Sequence, residues 1–593
     1  MPASRRMRYL ALASDYDGTL AHHGRLTTGT IDALERLIAS GRKVLLVTGR
    51  ELDDLQTVCS RLDLFACIVA ENGALLYWPD TRREERLAPA ADPEFVAKLR
   101  ERGVGPISVG RSIVATREPH ETAVLETIRK CGLELQVIFN KGAVMVLPAG
   151  VNKATGLNRA LTELGLSRHN TAGIGDAEND HAFLSSCECG VAVANALPTV
   201  KETADLVTTG HHGEGVIEIV AAMLADDLAS AEPRLTRHHL LLGTDPEGNE
   251  IRIPPYGTKV LLVGTSGSGK STLATALLER LAENEYTYCV VDPEGDYDEL
   301  PGAVVLGSPD RAASHEEILK LLAKPGESAI VNLIALKLED RPAFFAQLLP
   351  RLIELRARTG RPHWLVVDEA HHMLPTEWQK SGAVLPERLH SSLQITVHPG
   401  LVARRNLEDV DTVIAVGDDP AHMFRDLAGA VGEKPPRVDK KPLRKGEAFV
   451  WFRGRSREAM RTRIVPGTVE HRRHTRKYAE GELGPDRSFY FRGPDGKLNL
   501  RAQNLILFLQ LADGVDDDTW LHHLRARDYS AWMRDNVKDE ALAERVARIE
   551  KRLADDPLAS RREIRAAVEE TYTLPAAVND ARSTGRAARA GLA

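Results

Sequence analysis

Two carboxylates one residue apart, Asp15 and Asp17, close a short apolar run in Leu10-Ala-Leu-Ala-Ser-Asp15-Tyr-Asp17-Gly-Thr19-Leu20. Side chains alternate along a strand, so both acids point to one side at its carboxyl end, where open α/β sheets place ligands. Carboxylates this close repel unless a cation lies between them, and hard oxygens suit Mg²⁺. The pattern fits phosphoryl transfer in which one Asp attacks phosphorus and becomes an aspartyl-phosphate. A second phosphate chemistry lies downstream. Lys259-Val-Leu-Leu-Val263 runs into Gly264-Thr265-Ser266-Gly267-Ser268-Gly269-Lys270-Ser271-Thr272, a full P-loop opening an amphipathic helix. Its backbone N–H groups cradle the phosphates of ATP, Lys270 reaches the β and γ groups, and Ser271 ligates Mg²⁺.

Three further segments complement the first acidic pair. Val44-Leu-Leu-Val-Thr48-Gly-Arg50 is an apolar strand ending in a hydroxyl. Lys153 follows in Gly150-Val-Asn-Lys153-Ala-Thr-Gly, and then comes Thr171-Ala-Gly-Ile-Gly175-Asp176-Ala-Glu-Asn179-Asp180. In this order the four segments resemble the signature of the haloacid dehalogenase (HAD) superfamily of phosphatases. The resemblance implies that Asp15 is the nucleophile and that Asp17 is the general acid and later the base, with its backbone carbonyl on the metal. It further implies that Thr48 binds phosphate, Lys153 balances charge, Asp176 ligates the metal and Asp180 orients the metal site. A phosphate monoester repels an attacking carboxylate, so cationic and hydroxyl groups must neutralise it.

Ala70-Glu71-Asn-Gly-Ala-Leu-Leu-Tyr77 reads as a tight turn entering a hairpin, with Asn-Gly supplying positive φ. The E-N-G-A phrase resembles the Cof-type branch of the superfamily, which implies an α/β cap at about 85–149. Ser112–Thr116, Leu135–Phe139 and Ala143–Leu147 read as cap strands, and Glu121–Cys131 as a cap helix. A cap that closes over the site excludes water and bulky substrates, which favours a small phosphorylated metabolite. The likeness is to small phosphoglycolate and sugar-phosphate phosphatases.

In the P-loop region, Tyr288-Cys-Val-Val-Asp292-Pro-Glu294-Gly-Asp-Tyr297 and Trp364-Leu-Val-Val-Asp368-Glu369-Ala-His-His are strands ending in acids. Asp368 is expected in the Mg²⁺ shell and Glu369 beside the attacking water, which favours ATP hydrolysis. The set resembles the HerA/FtsK class of RecA-like ATPases, implying a homo-hexameric ring that often translocates DNA. One departure stands out: where that class has T-Q-x-P, this chain has Thr396-Val-His398-Pro399, so a glutamine sensor is missing or replaced by His398. Arg404 or Arg405 serves either as a trans-acting finger or as a solvated surface pair.

The elements that must position these groups require more than one core. With 593 residues and roughly 150 residues per domain, three or four domains are expected. The fold class is α/β: a Rossmann-like HAD core with a small α/β cap (1–225), a linker (226–237), a RecA-like P-loop α/β domain (238–468), and a mainly helical C-terminal domain of unknown role (469–593). In that last part Arg487–Phe491 reads as a strand, while Asn499–Gln510, Asp518–Leu524, Tyr529–Asn536 and Asp539–Leu553 read as helices. Trp520, Tyr529 and Trp532 are expected in its core, and the tail after Pro575 is expected to fray. The net charge of −7 does not argue for nucleic acid; the basic run Arg472–Lys477 reads as a solvated linker or a phosphate contact. Six scattered cysteines form no paired motif, so buried thiols are expected. The paired histidines at 22–23, 211–212, 238–239, 371–372 and 522–523 show no metal-motif spacing with a third ligand. No signal peptide or apolar run near 18 residues is present, so a cytoplasmic protein with no membrane partner is expected. Three functions compete: a phosphatase fused to an ATPase, an ATP-driven DNA machine whose phosphatase trims ends, and a non-catalytic switch in which ATP binding sets oligomeric state and cap access.

Overall fold

The computed structural model describes residues 7–571 apart from 141, 266, 299, 377–389, 469–482, 484–487 and 538. Ser266 of the P-loop, the Arg472–Lys477 run and the tail after Pro575 lie outside the described residues. The chain divides into two compact units, residues 1–468 and 469–593.

Within the first unit, an eight-stranded sheet carries the first motif set. Its spatial order is Leu206–Val207, Cys189–Ala192, Thr171–Gly175, Ala11–Ser14, Lys43–Val47, Cys67–Ala70, Leu75–Trp78 and Arg83–Arg86. The strands are parallel up to Cys67–Ala70, after which two antiparallel strands extend the edge. Strand Ala11–Ser14 is central and fully buried, so both of its faces must be apolar until the chain reaches the sheet edge. The helix carrying Lys153 (Lys153–Glu163) starts at a reciprocal cap. Asn152 Oδ1 accepts the Thr155 N–H at 3.0 Å, and Thr155 Oγ1 accepts the Asn152 N–H at 3.0 Å. Gly73, at φ +106°, lies where a Cβ would come within 2.0 Å of the Asn152 carbonyl, so only glycine lets this turn pack on the start of that helix.

A separate antiparallel sheet, ordered Ser108–Val109, Val114–Arg117, Ala143–Pro148 and Leu135–Asn140, forms the cap with helices Pro93–Glu101 and Glu121–Cys131. The cap has its own core, including Phe95, Leu99, Val124 and Val144. The strand expected at 112–116 begins two residues later because Ser112 and Ile113 donate their N–H groups to the buried Glu71 carboxylate, at 2.8 and 3.1 Å. Arg111 N–H donates to the other Glu71 oxygen at 2.7 Å. One carboxylate thus ties the cap to the core.

The P-loop region is built on an eleven-stranded sheet. Its parallel centre runs Thr412–Val416, Lys259–Gly264, Ser392–Thr396, Trp364–Val367, Tyr288–Asp292, Ala329–Asn332 and Val304–Leu306. One strand therefore separates the P-loop strand from the strand ending at Asp368-Glu369.

These two regions meet through buried polar groups. Glu188 accepts hydrogen bonds from Arg8 Nη2 (2.5 Å), His169 Nδ1 (2.7 Å) and Tyr286 OH (2.7 Å). His169 Nε2 donates to the Asn284 carbonyl at 2.7 Å, just past the end of the P-loop helix Lys270–Glu283. Segment 226–237 is not a loose tether: Leu228 and Leu235 are buried in the phosphatase core, and Asp227 accepts the Arg8 N–H.

The second unit is mainly helical, with a two-stranded sheet of Phe489–Phe491 and Leu500–Ala502. The helix expected to begin at Asn499 begins instead at Leu505. Residues 500–502 pair with the first strand, and Asn504 then caps the helix through the Leu507 N–H. Trp520, Tyr529 and Trp532 are buried.

Candidate active sites

The four segments of the first site converge at the carboxyl edge of the eight-stranded sheet. Lys153 Nζ lies 2.6 Å from Asp15 Oδ1 and 2.6 Å from Asp180 Oδ1, and all three side chains are buried. Asp180 Oδ2 accepts the N–H groups of Asp176 and Ala177 at 2.8 and 2.9 Å. Asp15, Asp176 and Asp180 each place a carboxylate oxygen within 4.8 Å of the others. Three carboxylates share one ammonium, so charge is only partly balanced and the set fits a divalent cation. Burial raises the Asp15 carboxyl above its ordinary range; Lys153 opposes this, and Asp180 and Asp176 add to it.

Thr48 is buried, and its Oγ1 accepts the Arg50 N–H at 3.1 Å. Asp17 does not join the carboxylate cluster through its side chain. Arg50 grips it bidentately, Nε to Oδ2 at 2.5 Å and Nη2 to Oδ1 at 2.7 Å, and also pairs with Asp54. Arg50 was visible in the strand-end motif, but only its fold-back onto Asp17 reveals the contact. On the cap side, a Cβ at Gly49 would meet Met145 Cε at 3.2 Å, so the cap strand covers the rim of the site. Asn179 donates to Asn72 Oδ1 at 3.0 Å and ties the acidic loop to the E-N-G-A turn.

At the second site, Lys270 Nζ donates to the Gly264 and Thr265 carbonyls at 3.0 and 2.9 Å. Gly267 and Gly269 have φ of +77° and +93°, the left-handed conformation that this turn requires. Ser268 lies within the same turn, and Thr272 is exposed on the first turn of the helix. Ser271 Oγ lies 3.3 Å from Asp296 Oδ2, a residue of the Asp292–Tyr297 phrase that spacing alone did not single out. Asp292 itself is spent on its own loop, accepting the N–H groups of Glu294, Gly295 and Tyr297. Asp368 is buried, and burial pushes its carboxyl well up, with Glu369, Asp296 and Asp292 adding to the rise. Glu369 sits at φ +44°, strained for a non-glycine residue, beside His371 at 3.4 Å. The rings of His371 and His398 meet edge to face with centroids 5.4 Å apart. Arg404 is exposed and paired with Glu408.

His238 comes within 4.8 Å of His169 and Glu188, a cluster that the pair spacing had not shown. Glu188 is already committed to Arg8 and Tyr286, so the cluster works as a hydrogen-bonded seam.

A profile described as haloacid dehalogenase-like hydrolase matches residues 12–119 and 113–220. A phosphoglycolate phosphatase of Methanothermobacter thermautotrophicus is 32% identical over 219 residues, covering 35% of this chain and 96% of that protein. The chain belongs to the haloacid dehalogenase-like hydrolases. Phosphoglycolate phosphatase 2 of Saccharolobus solfataricus is 31% identical over 223 residues, covering 36% of this hydrolase and 93% of that one. A solved haloacid dehalogenase-like hydrolase from Bacteroides thetaiotaomicron, 19% identical, is similar over 36% of this chain and 99% of its own, with a TM-score of 0.33. An AAA ATPase domain profile matches residues 253–394. This hydrolase is therefore an enzyme of the phosphatase type that also carries an AAA ATPase domain. Among the described residues, no helix is long and apolar enough to cross a membrane.

Proposed function

We propose that the chain is a Mg²⁺-dependent phosphatase acting on a small phosphorylated metabolite, of the sugar-phosphate or phosphoglycolate type, fused to an ATP-hydrolysing domain. The observation that carries this reading is Lys153 set 2.6 Å from both Asp15 and Asp180 with Asp176 in reach, at the edge covered by the cap. Asp15, the Asp17 backbone carbonyl, Asp176 and Asp180 would hold Mg²⁺, which would supply charge neutralisation for the phosphoryl group.

Asp15 attacks phosphorus through the oxygen not held by Lys153, and the bond to the leaving oxygen breaks. Asp17, released from the Arg50 clamp in its protonated form and carrying the proton taken from water in the preceding turnover, protonates that oxygen. Asp17 then takes a proton from water, which attacks the aspartyl-phosphate, releasing phosphate and restoring Asp15. Thr48 and Lys153 hold the phosphoryl oxygens. The cap strand bearing Met145 limits substrate size, which fits the Cof-type reading.

In the second site, Gly264–Thr272 bind ATP, Ser271 and Asp368 would hold its Mg²⁺, and Glu369 orients the attacking water. The Asp292–Tyr297 phrase and the Asp368-Glu369 strand end support a HerA/FtsK-like, ring-forming reading of this AAA domain. The test is a screen of small phosphomonoesters with and without ATP. Phosphate release must require Mg²⁺ and vanish in Asp15→Asn; persistent p-nitrophenyl phosphate hydrolysis in that variant overturns the reading.

A further inference from the structure

We propose that Asn195 and His212 are positioning residues for the phosphatase reaction, gripping the Gly18 carbonyl and so fixing the Asp17 backbone and the Asp176 carboxylate relative to one another. The inference rests on the Mg²⁺-dependent reading above, and it adds two residues that none of the four motif segments contains.

Strands Leu206–Val207, Cys189–Ala192, Thr171–Gly175 and Ala11–Ser14 are parallel neighbours, so the loops that follow them lie side by side at one sheet edge. The inner two loops carry Asp176 and the turn 15–19. The outer two carry Asn195 and His212, both half-buried. Backbone bonds fasten the Asn195 loop to the acidic loop. Val193 N–H donates to the Gly175 carbonyl at 3.2 Å, and Leu197 N–H donates to the Asp176 carbonyl at 3.0 Å.

Side chains then bridge the loops. Asn195 Nδ2 donates to the Gly18 carbonyl at 2.8 Å and lies 3.5 Å from Asp176 Oδ2. Its Oδ1 accepts the His212 N–H at 2.7 Å, which settles the orientation of the amide. His212 Nδ1 lies 2.8 Å from the same Gly18 carbonyl, and a carbonyl only accepts, so the ring proton sits on Nδ1. Two donors thus converge on one oxygen. Thr19 Oγ1 donates to Asp176 Oδ1 at 3.3 Å and closes the circuit from the other side.

The grip matters because of what it holds. Gly18 sits at φ +89°, and glycine gives this turn a soft pivot next to the Asp17 carbonyl. Gly18 N–H donates to the Ala21 carbonyl at 3.1 Å, a bond that shapes the turn from within. Asn195 and His212 instead anchor the turn to the neighbouring loops. Mg²⁺ demands near-ideal octahedral geometry, so a carbonyl and a carboxylate held in fixed relation favour its binding. His212 is strained in this role: φ +49°, ψ −132° is a conformation that persists only where surrounding contacts over-determine it. Here those contacts are its two bonds and the stacking of its ring on His22, with centroids 4.6 Å apart.

The test is Mn²⁺ titration of the full chain followed by electron paramagnetic resonance, in wild type, Asn195→Ala, His212→Ala and His212→Asn, with Asp176→Asn marking the phosphatase site. Each alanine variant is expected to weaken the Asp176-dependent Mn²⁺ site about 10- to 100-fold, the usual cost of losing a group that orients a metal ligand. Both should lower kcat for p-nitrophenyl phosphate at fixed Mg²⁺ and leave KM unchanged. His212→Asn sets an amide nitrogen where Nδ1 stands and tolerates positive φ, so it should restore most of the affinity. Wild-type Mn²⁺ affinity in either alanine variant overturns the proposal and leaves the phosphatase reading intact; His212→Ala decides the matter if Asn195→Ala fails to fold. A loss in His212→Ala that His212→Asn does not restore assigns the effect to packing and also overturns it. A wild type with no Asp176-dependent Mn²⁺ site removes the metal reading itself, and the proposal with it.

Discussion

Replacing Lys153 by Met removes the ammonium that lies 2.6 Å from both Asp15 and Asp180. Three carboxylates within 4.8 Å of one another then remain with no cation among them. Removing one partner of a buried ion pair destabilises by about 3–5 kcal/mol, because the stranded charge has lost its solvent as well as its partner. In a domain of roughly 200 residues this lowers Tm by about 6–20 °C. Asp15→Asn acts in the opposite direction. Burial holds the Asp15 carboxyl above its ordinary pKa, so the charged form is disfavoured and the neutral amide leaves metal-free stability unchanged or higher. The double variant should recover part of the Lys153→Met loss. Melts by circular dichroism in EDTA measure all four corners of the cycle, and added Mg²⁺ should raise Tm in wild type by mass action. If Lys153→Met melts within 1–2 °C of wild type in EDTA (at most ~1 kcal/mol on the same scale), the charge argument for this site is wrong.

Arg50→Gln frees Asp17 from its bidentate clamp and should lower phosphatase kcat by about 10- to 100-fold with little change in Tm, since misplacing an acid is mainly a kinetic loss. Glu369→Gln should keep ATP binding, measured by a fluorescent nucleotide, while cutting ATP turnover at least ~10²-fold. Lys270→Ala should abolish that binding. At the seam, burial tends to raise Glu188, but the His169 hydrogen bond and the Arg8 charge win and hold it well below the ordinary glutamate value. A depressed folded-state pKa contributes stability that is present above the unfolded value, ~4.3, and is lost as pH falls through the folded one. Wild type should therefore exceed Glu188→Gln in Tm at neutral pH, and the gap should narrow only below about pH 4.

Much of the frame was readable from residue order because each motif is local. A strand ends, an acid or hydroxyl follows, and the alternation of the strand sets its direction. The cap helix at Glu121–Cys131 emerges at its expected bounds because its apolar spacing has one interpretation. What stayed hidden depends on side chains far apart in the chain. Glu71 looks like part of a turn until three cap N–H groups close on it. Arg50 looks like a flanking base until it turns back to Asp17. Arg8, His169, Glu188 and Tyr286 have no spacing rule in common, because two separately patterned regions supply them. At Leu500–Ala502 a short strand displaced the expected helix start, since three residues of pairing outweighed local propensity.

The Tyr286–Glu188 contact also has a practical side. Any attempt to express residues 1–225 as a free-standing catalyst would strip Glu188 of a phenol donor and expose the apolar face now covered by Leu228 and Leu235. Fragments cut there should be sticky and acid-sensitive, so biochemical dissection of this protein is better done with point substitutions than with scissors.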